Sequence, residues 1–170
     1  MNRILSASAR LLLLALTGLM GCGYYSTSTR AIPSHIKTVA VPLFQDATVE
    51  TGIKEQLTDT IIARFVTNNQ LRVVDVRDAD ALIVGTILDV REESLSFEQG
   101  QAAREARVWI IAHVRFEDVR NRRVLWEEQQ MRAWGVYAVE TGTQADREPG
   151  IAAAINKMAE DILNKTIAGW

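Results

Sequence analysis

Residues 104–117 alternate almost without a break, and that alternation restricts the fold more than any other stretch. Ala106, Val108, Ile110, Ala112, Val114 and Phe116 share one parity, and Glu105, Arg107, Trp109, Ile111, His113, Arg115 and Glu117 share the other. Successive side chains of a strand point to opposite faces, so a period of two requires an extended strand with one apolar and one mostly polar face. Residues 118–123 are polar and contain Asn121, which tolerates turn geometry. Residues 124–137 then return as a second long strand, so the pair is predicted to form an antiparallel hairpin. Gly135 is expected to bend its far end.

Ahead of the hairpin the period changes. Residues 36–44 are apolar on both parities, as in a strand covered on both sides, and Pro42, lacking an N–H, belongs near its end. From Val49 the apolar residues recur every fourth position: Val49, Ile53, Leu57, Ile61 and Phe65, widened by Ile62 and Val66. Glu50, Lys54, Glu55, Asp59 and Arg64 occupy the other side, which makes an amphipathic helix, and Asn68 and Asn69 suit its end. Residues 71–76 and 81–90 read as strands around a turn at Asp78-Ala79-Asp80, with Gly85 marking a bulge or a close backbone approach. Residues 91–101 read as a strand extension and a loop carrying Leu95 and Phe97. A last helix, predicted to start near Asp146 so that Pro149 falls in its first turn, presents Ile151, Ile155, Met158 and Ile162, broadened by Ala159 and Leu163. Trp170, at the end of the chain, is expected to fold back on the sheet. Both helices need an apolar partner. The predicted architecture is α+β, a two-layer sandwich with a mixed four- to five-stranded sheet and two helices on one face. A crossover through the first helix is expected to join the first two strands.

The N-terminus carries a separate signal. Arg3 and Arg10 precede an apolar run, and no acidic residue occurs before Asp46. This is the pattern of a secretory signal peptide, and its apolar run is too short to span about 30 Å of hydrocarbon. Leu19-Met20-Gly21-Cys22 resembles the lipobox of bacterial lipoproteins, in which the cysteine is lipidated and becomes the first residue. The expected organisation is residues 1–21 as signal peptide, 22–34 as a lipidated tether and 35–170 as a single domain. No cofactor is expected beyond the covalent lipid on Cys22. Several acyl chains hold a protein on a membrane surface. Gly23 stands where an Asp would resemble an inner-membrane retention signal, so the expected location is the periplasmic side of the outer membrane. Tyr24 and Tyr25 suit either a headgroup interface or the domain's own surface.

Loss of the first 21 residues lowers Lys+Arg from 19 to 17 and leaves Asp+Glu at 21, a net charge of −4. That argues against nucleic acid as a partner. Cys22 is the only cysteine, so the domain holds no internal disulfide and no cysteine-based zinc site. The two histidines fall in no catalytic motif: His35 follows Pro33 at the domain entry and is expected to be solvated, and His113 is expected on the surface. Asp78 and Asp80 read as a solvated turn. The chain is therefore expected to bind rather than to catalyse. Trp109 and Ile111, on the otherwise charged face of the hairpin, have the composition of a partner contact. Arg107, Arg115, Arg120, Arg122 and Arg123 offer guanidinium groups that match phosphates bidentately.

In chain order, Cys22 with Gly-Tyr-Tyr, IKTVAVPLFQDAT at 36–48, the helix, DADALIVGTI at 78–87, a hairpin whose return strand opens VLWEEQQ, and a closing helix resemble the LptE family. These are lipopolysaccharide-assembly lipoproteins of the outer membrane. The resemblance implies a small sheet with two helices and no catalytic motif. It implies an LptD-like β-barrel as partner, with the domain partly in the barrel lumen, and lipopolysaccharide as ligand. The five arginines are then candidate lipopolysaccharide contacts. Only Cys22 carries over residue by residue. The alternative is another outer-membrane lipoprotein adaptor, a peptidoglycan-synthase activator or a curli-secretion-like component, whose domains share the early strand and helix order.

Overall fold

The long hairpin is present and carries the rest of the molecule. The computed structural model describes residues 32–95, 105–139 and 143–168. Its elements are β1 (Thr38–Ala40), β2 (Gln45–Asp46), α1 (Ile53–Asn68), β3 (Arg72–Val73), a 3-10 turn (Val76–Asp78), β4 (Ala81–Ser94), β5 (Glu105–Asp118), β6 (Arg123–Ala138) and α2 (Gln144–Ile167). The strands form one mixed sheet in the order β3-β1-β4-β5-β6, with β2 beside β4. β1 runs parallel to β3 and β4, whereas β4, β5 and β6 are antiparallel. The expected link of β1 to its neighbour β3 through α1 is found. Cys22, Tyr24, Tyr25, Phe97 and Trp170 lie outside the described residues.

The alternation of β5 decides the core. Val108, Ile110, Ala112, Val114 and Phe116 are fully buried on the face that both helices cover. α1 contributes Ile53, Leu57, Ile61 and Phe65, and α2 contributes Ile151, Ile155, Met158 and Ile162. Full burial of such a side chain stabilises the fold by roughly 1.5–3 kcal/mol. Two glycines make room for close neighbours. The Phe44 ring lies against Gly85, where an added Cβ would stand 2.2 Å from Phe44 Cε1. Gly135 admits α2, whose Gly150 carbonyl would be 2.1 Å from a Cβ there.

Local chemistry moves several element boundaries. The first strand shortens to Thr38–Ala40 because Pro42 has no N–H to offer β4, and pairing resumes only at Gln45. α1 begins at Ile53, not Val49. Asp46 accepts the Thr48 amide and hydroxyl at 2.8 Å, Thr48 accepts the Glu50 amide, and these side-chain bonds replace a helical turn. Gly52 then takes φ +87, and Val49 is left 99% exposed. Asn69 ends the helix in the left-handed region, as expected, with its N–H on Phe65 O. α2 begins at Gln144, ahead of the expected Asp146, which moves Pro149 into the second turn. Arg147 secures that turn by pairing with Glu50 at 3.1 Å and with Glu92, which also accepts the Tyr137 hydroxyl at 2.8 Å. Burial, then the Glu92 hydrogen bond, pushes the Tyr137 hydroxyl up to about 12.

Two aspartates, Asp80 and Asp118, fasten the entry of the domain; Asp80 is more than the solvated turn residue expected, whereas Asp78 is exposed. Asp80 accepts the backbone N–H groups of Lys37 and Thr38 and the Thr38 hydroxyl at 2.9–3.0 Å. The Lys37 amide, foremost, and the Thr38 hydroxyl hold its carboxyl below the usual range. Burial alone would raise Asp118. Hydrogen bonds from the Asn121 backbone and side chain and from His35 outweigh it and lower that group too. His35 Nε2 lies 3.0 Å from Asp118 Oδ2, so the histidine expected in solvent is paired. A carboxylate depressed on folding stabilises the fold above its unfolded pKa of about 3.9, and the stabilisation is lost as pH falls through the folded value. Urea midpoints are therefore expected to fall below about pH 4. Asp80→Asn should flatten that fall. Asp80→Ala should cost about 2–3 kcal/mol at neutral pH by orphaning three donors. An unchanged acid limb in Asp80→Asn would remove this carboxylate as its source.

Candidate functional site

The face of β4, β5 and β6 turned away from the helices carries the candidate site. On this face β5 places Arg107, Trp109 and Ile111, and the cross-strand register sets Val136, Trp134 and Arg132 opposite them. On the other side β4 supplies Glu93, Arg91 and Asp89 in the same three rows. The result is three rows of three residues, mixed aromatic, apolar and charged.

Arg107 is the centre of the outermost row. Its guanidinium carbon lies 4.5 Å from the Trp134 ring centroid and 5.4 Å from that of Trp109. The two indoles are 6.4 Å apart and tilted by 57°. Such a cation over two aromatic faces gains roughly 0.5–2 kcal/mol per ring, depending on desolvation. The Trp109 indole N–H donates to Glu93 Oε2 at 3.1 Å, and the same carboxylate oxygen lies 3.7 Å from Arg107 Nη1. The Arg107 Nε atom is buried without a hydrogen-bond partner.

A shallow groove of about 370 Å³ runs beside this cluster, lined by Arg91, Glu92, Glu93, Trp109, Ile111 and Arg132. Ile111 is its floor, only 5% exposed although it lies on the outer face, whereas Trp134 is 39% exposed. Arg91 pairs with Asp89 at 3.3 Å. Arg132 bonds only the neutral Gln130 side chain among the described residues, which leaves its charge uncompensated. A sugar ring can stack on the exposed indole while a phosphate meets the guanidinium groups.

The structure divides the arginines singled out from the sequence. Arg107 joins Trp109 and Ile111 at one end of the hairpin. Arg115 lies midway and pairs with Glu117 at 3.1 Å, beside the 2.6 Å His113–Glu127 contact. Arg120, Arg122 and Arg123 form the hairpin tip, about 30 Å from Trp109 at about 3.4 Å per strand residue. Sequence reasoning missed Trp134, Arg132 and Arg91. Their signal is register, and bulges conceal it. β6 carries one extra residue between its Phe116 and Glu117 pairings and another between its Ala112 and Val114 pairings. Counting back from the turn therefore pairs Trp109 with Arg132 rather than with Trp134.

Among the described residues no group of three His, Asp or Glu side chains converges to hold a metal. No helix among them is long and apolar enough to cross a membrane.

Comparison with known proteins places the architecture. The family model for LptE, described as lipopolysaccharide-assembly, matches residues 36–166. No curated protein matches significantly. A Xanthomonas campestris protein of known structure has 12% identity and a TM-score of 0.54, over 80% of this chain and 88% of its own. Uncharacterized lipoprotein B from Nitrosomonas europaea, solved by NMR, has 16% identity and a TM-score of 0.51, over 86% and 90%. A hypothetical protein from Chlamydia trachomatis has 9% identity and a TM-score of 0.52, over 76% and 95%. At these identities the likeness is one of fold.

Proposed function

The chain belongs to the LptE family of lipopolysaccharide-assembly proteins, and from that premise we propose that it is a non-catalytic outer-membrane lipoprotein, anchored through Cys22, that partners an LptD-like β-barrel. Its outer sheet face receives the phosphorylated sugar headgroup of lipopolysaccharide. The single observation behind the ligand reading is Arg107 set against the rings of both Trp109 and Trp134 on a face that neither helix covers. Arg132 supplies a second guanidinium beside that stack, and the indoles supply apolar surface for the sugar rings.

Gentle extraction of the full-length protein from native membranes is expected to bring down one large β-barrel. Its absence counts against the partnership. A peptidoglycan synthase in its place, or ring oligomers by mass, moves the protein to the adaptor class. The ligand reading has its own measurement. Trp134→Ala or Arg132→Glu should weaken lipopolysaccharide binding by about tenfold, the scale of one cation–π or charge-assisted contact. Circular dichroism should stay unchanged, because both side chains are exposed. Wild-type affinity in both variants removes the outer face from the site.

A further inference from the structure

The hairpin tip has a chemistry of its own. Arg120, Arg122 and Arg123 are exposed and make no ion pair among the described residues. Val119 and Val124 flank them at 42% and 44% exposure. The nearest carboxylates are engaged: Asp118 holds His35 and Asn121, and Asp80 holds Lys37 and Thr38. On the adjoining 3-10 turn, Asp75 pairs with Arg77, and Asp78 is exposed. The tip thus presents three guanidinium groups free of ion pairs among the described residues, and two apolar side chains, on one loop.

The chain also enters the domain at this end. β1 starts beside the start of β4, whose Ala81 pairs with Asp118 at the base of the tip. His35 is 3.0 Å from Asp118 and 3.4 Å from Asn121 Nδ2. The ten residue-to-residue steps from Cys22 to Ile32 reach at most about 35 Å, since an extended chain covers about 3.3–3.6 Å per residue. A lipid on Cys22 therefore keeps this end of the domain within about 35 Å of the bilayer.

We propose that the tip formed by Val119, Arg120, Arg122, Arg123 and Val124 docks on the anionic phospholipid surface of the leaflet that holds the Cys22 lipid. Guanidinium groups take the headgroup phosphates and the valines enter the interface. Docking sets the domain upright, with the Arg107–Trp134 cluster about 30 Å from the leaflet by strand length. The proposal rests on the Cys22 anchor, and the experiment reads the two separately.

Because Cys22 is the only cysteine, Val119→Cys gives the lipidated full-length protein one free thiol for an environment-sensitive dye. The labelled protein is reconstituted in phosphatidylcholine vesicles with or without phosphatidylglycerol, both containing a brominated lipid as quencher. Vesicle flotation reports the anchor, and dye quenching reports the tip. The expected result is flotation with both compositions and quenching only with phosphatidylglycerol, reversed at about 1 M salt, where the Debye length is about 3 Å. Changing all three arginines to Gln should lower the ratio of docked to undocked protein on the order of 100-fold, since each contributes roughly fivefold near an anionic surface. Failure to float overturns the anchor. Flotation without quenching in phosphatidylglycerol vesicles overturns the docked tip, and so does quenching that appears only when lipopolysaccharide is added. If the triple variant misfolds by circular dichroism, the salt and lipid arms on the wild-type tip still decide.

Discussion

Gly135→Val is expected to cost more than about 3 kcal/mol of stability, the upper range for overpacking, and to lower the thermal midpoint by roughly 10 °C for a domain of this size. An added Cβ would meet the Gly150 carbonyl oxygen at 2.1 Å, the Ala153 Cβ at 2.7 Å and the Ala154 amide nitrogen at 2.9 Å. Two of these atoms are backbone, so no rotamer change relieves the contact. The opposite glycine is equally confined, because a Cβ on Gly150 would stand 2.8 Å from Tyr137 Cδ1. Relief requires α2 to lift from β6, which exposes Ile151, Ala154, Ile155 and Met158. Urea and thermal unfolding measure the loss. A Gly135→Val protein as stable as the parent would show that α2 packs elsewhere in solution.

Cys22→Ser is expected to change membrane behaviour completely. Hydroxyl replaces the thiol that takes the diacylglycerol, so the variant should incorporate no labelled palmitate and should keep its 21-residue extension. One acyl chain alone gives marginal, reversible attachment and several give stable anchoring, whereas the variant carries none, so the contrast is close to all-or-none. Labelled palmitate followed by electrophoresis reads both events in one lane. A labelled variant of wild-type mature size would rule out Cys22 as the anchor.

The fold was legible wherever periodicity was strong. The alternation through Phe116 named the buried face of β5 residue by residue, and the four-residue recurrence from Ile53 to Phe65 named the buried stripe of α1. Failures fell where a few polar bonds outweigh pattern. Val49 continues the helical period, yet Asp46 and Thr48 capture the amides that a helix would use. Asp80 and His35 read as solvent-facing because their partners, Thr38 and Asp118, are 42 and 83 residues away. The candidate site was half legible. Trp109 and Ile111 stood out against their polar parity, but Trp134 depends on two bulges that each shift the register by one residue and together restore the face.

The placement of β1 has a mechanical consequence. If the domain hangs from the proposed Cys22 lipid, it is pulled through its N-terminal side, and β1 is the first strand that the pull meets. This strand lies between β3 and β4, parallel to both. Tension along such a strand loads its flanking hydrogen bonds together in shear instead of opening them one after another. Asp80 and Asp118 add side-chain bonds at the point where force arrives. The short first strand, which contributes little sheet area, would thus carry the tension passed from the proposed lipid anchor to the folded domain.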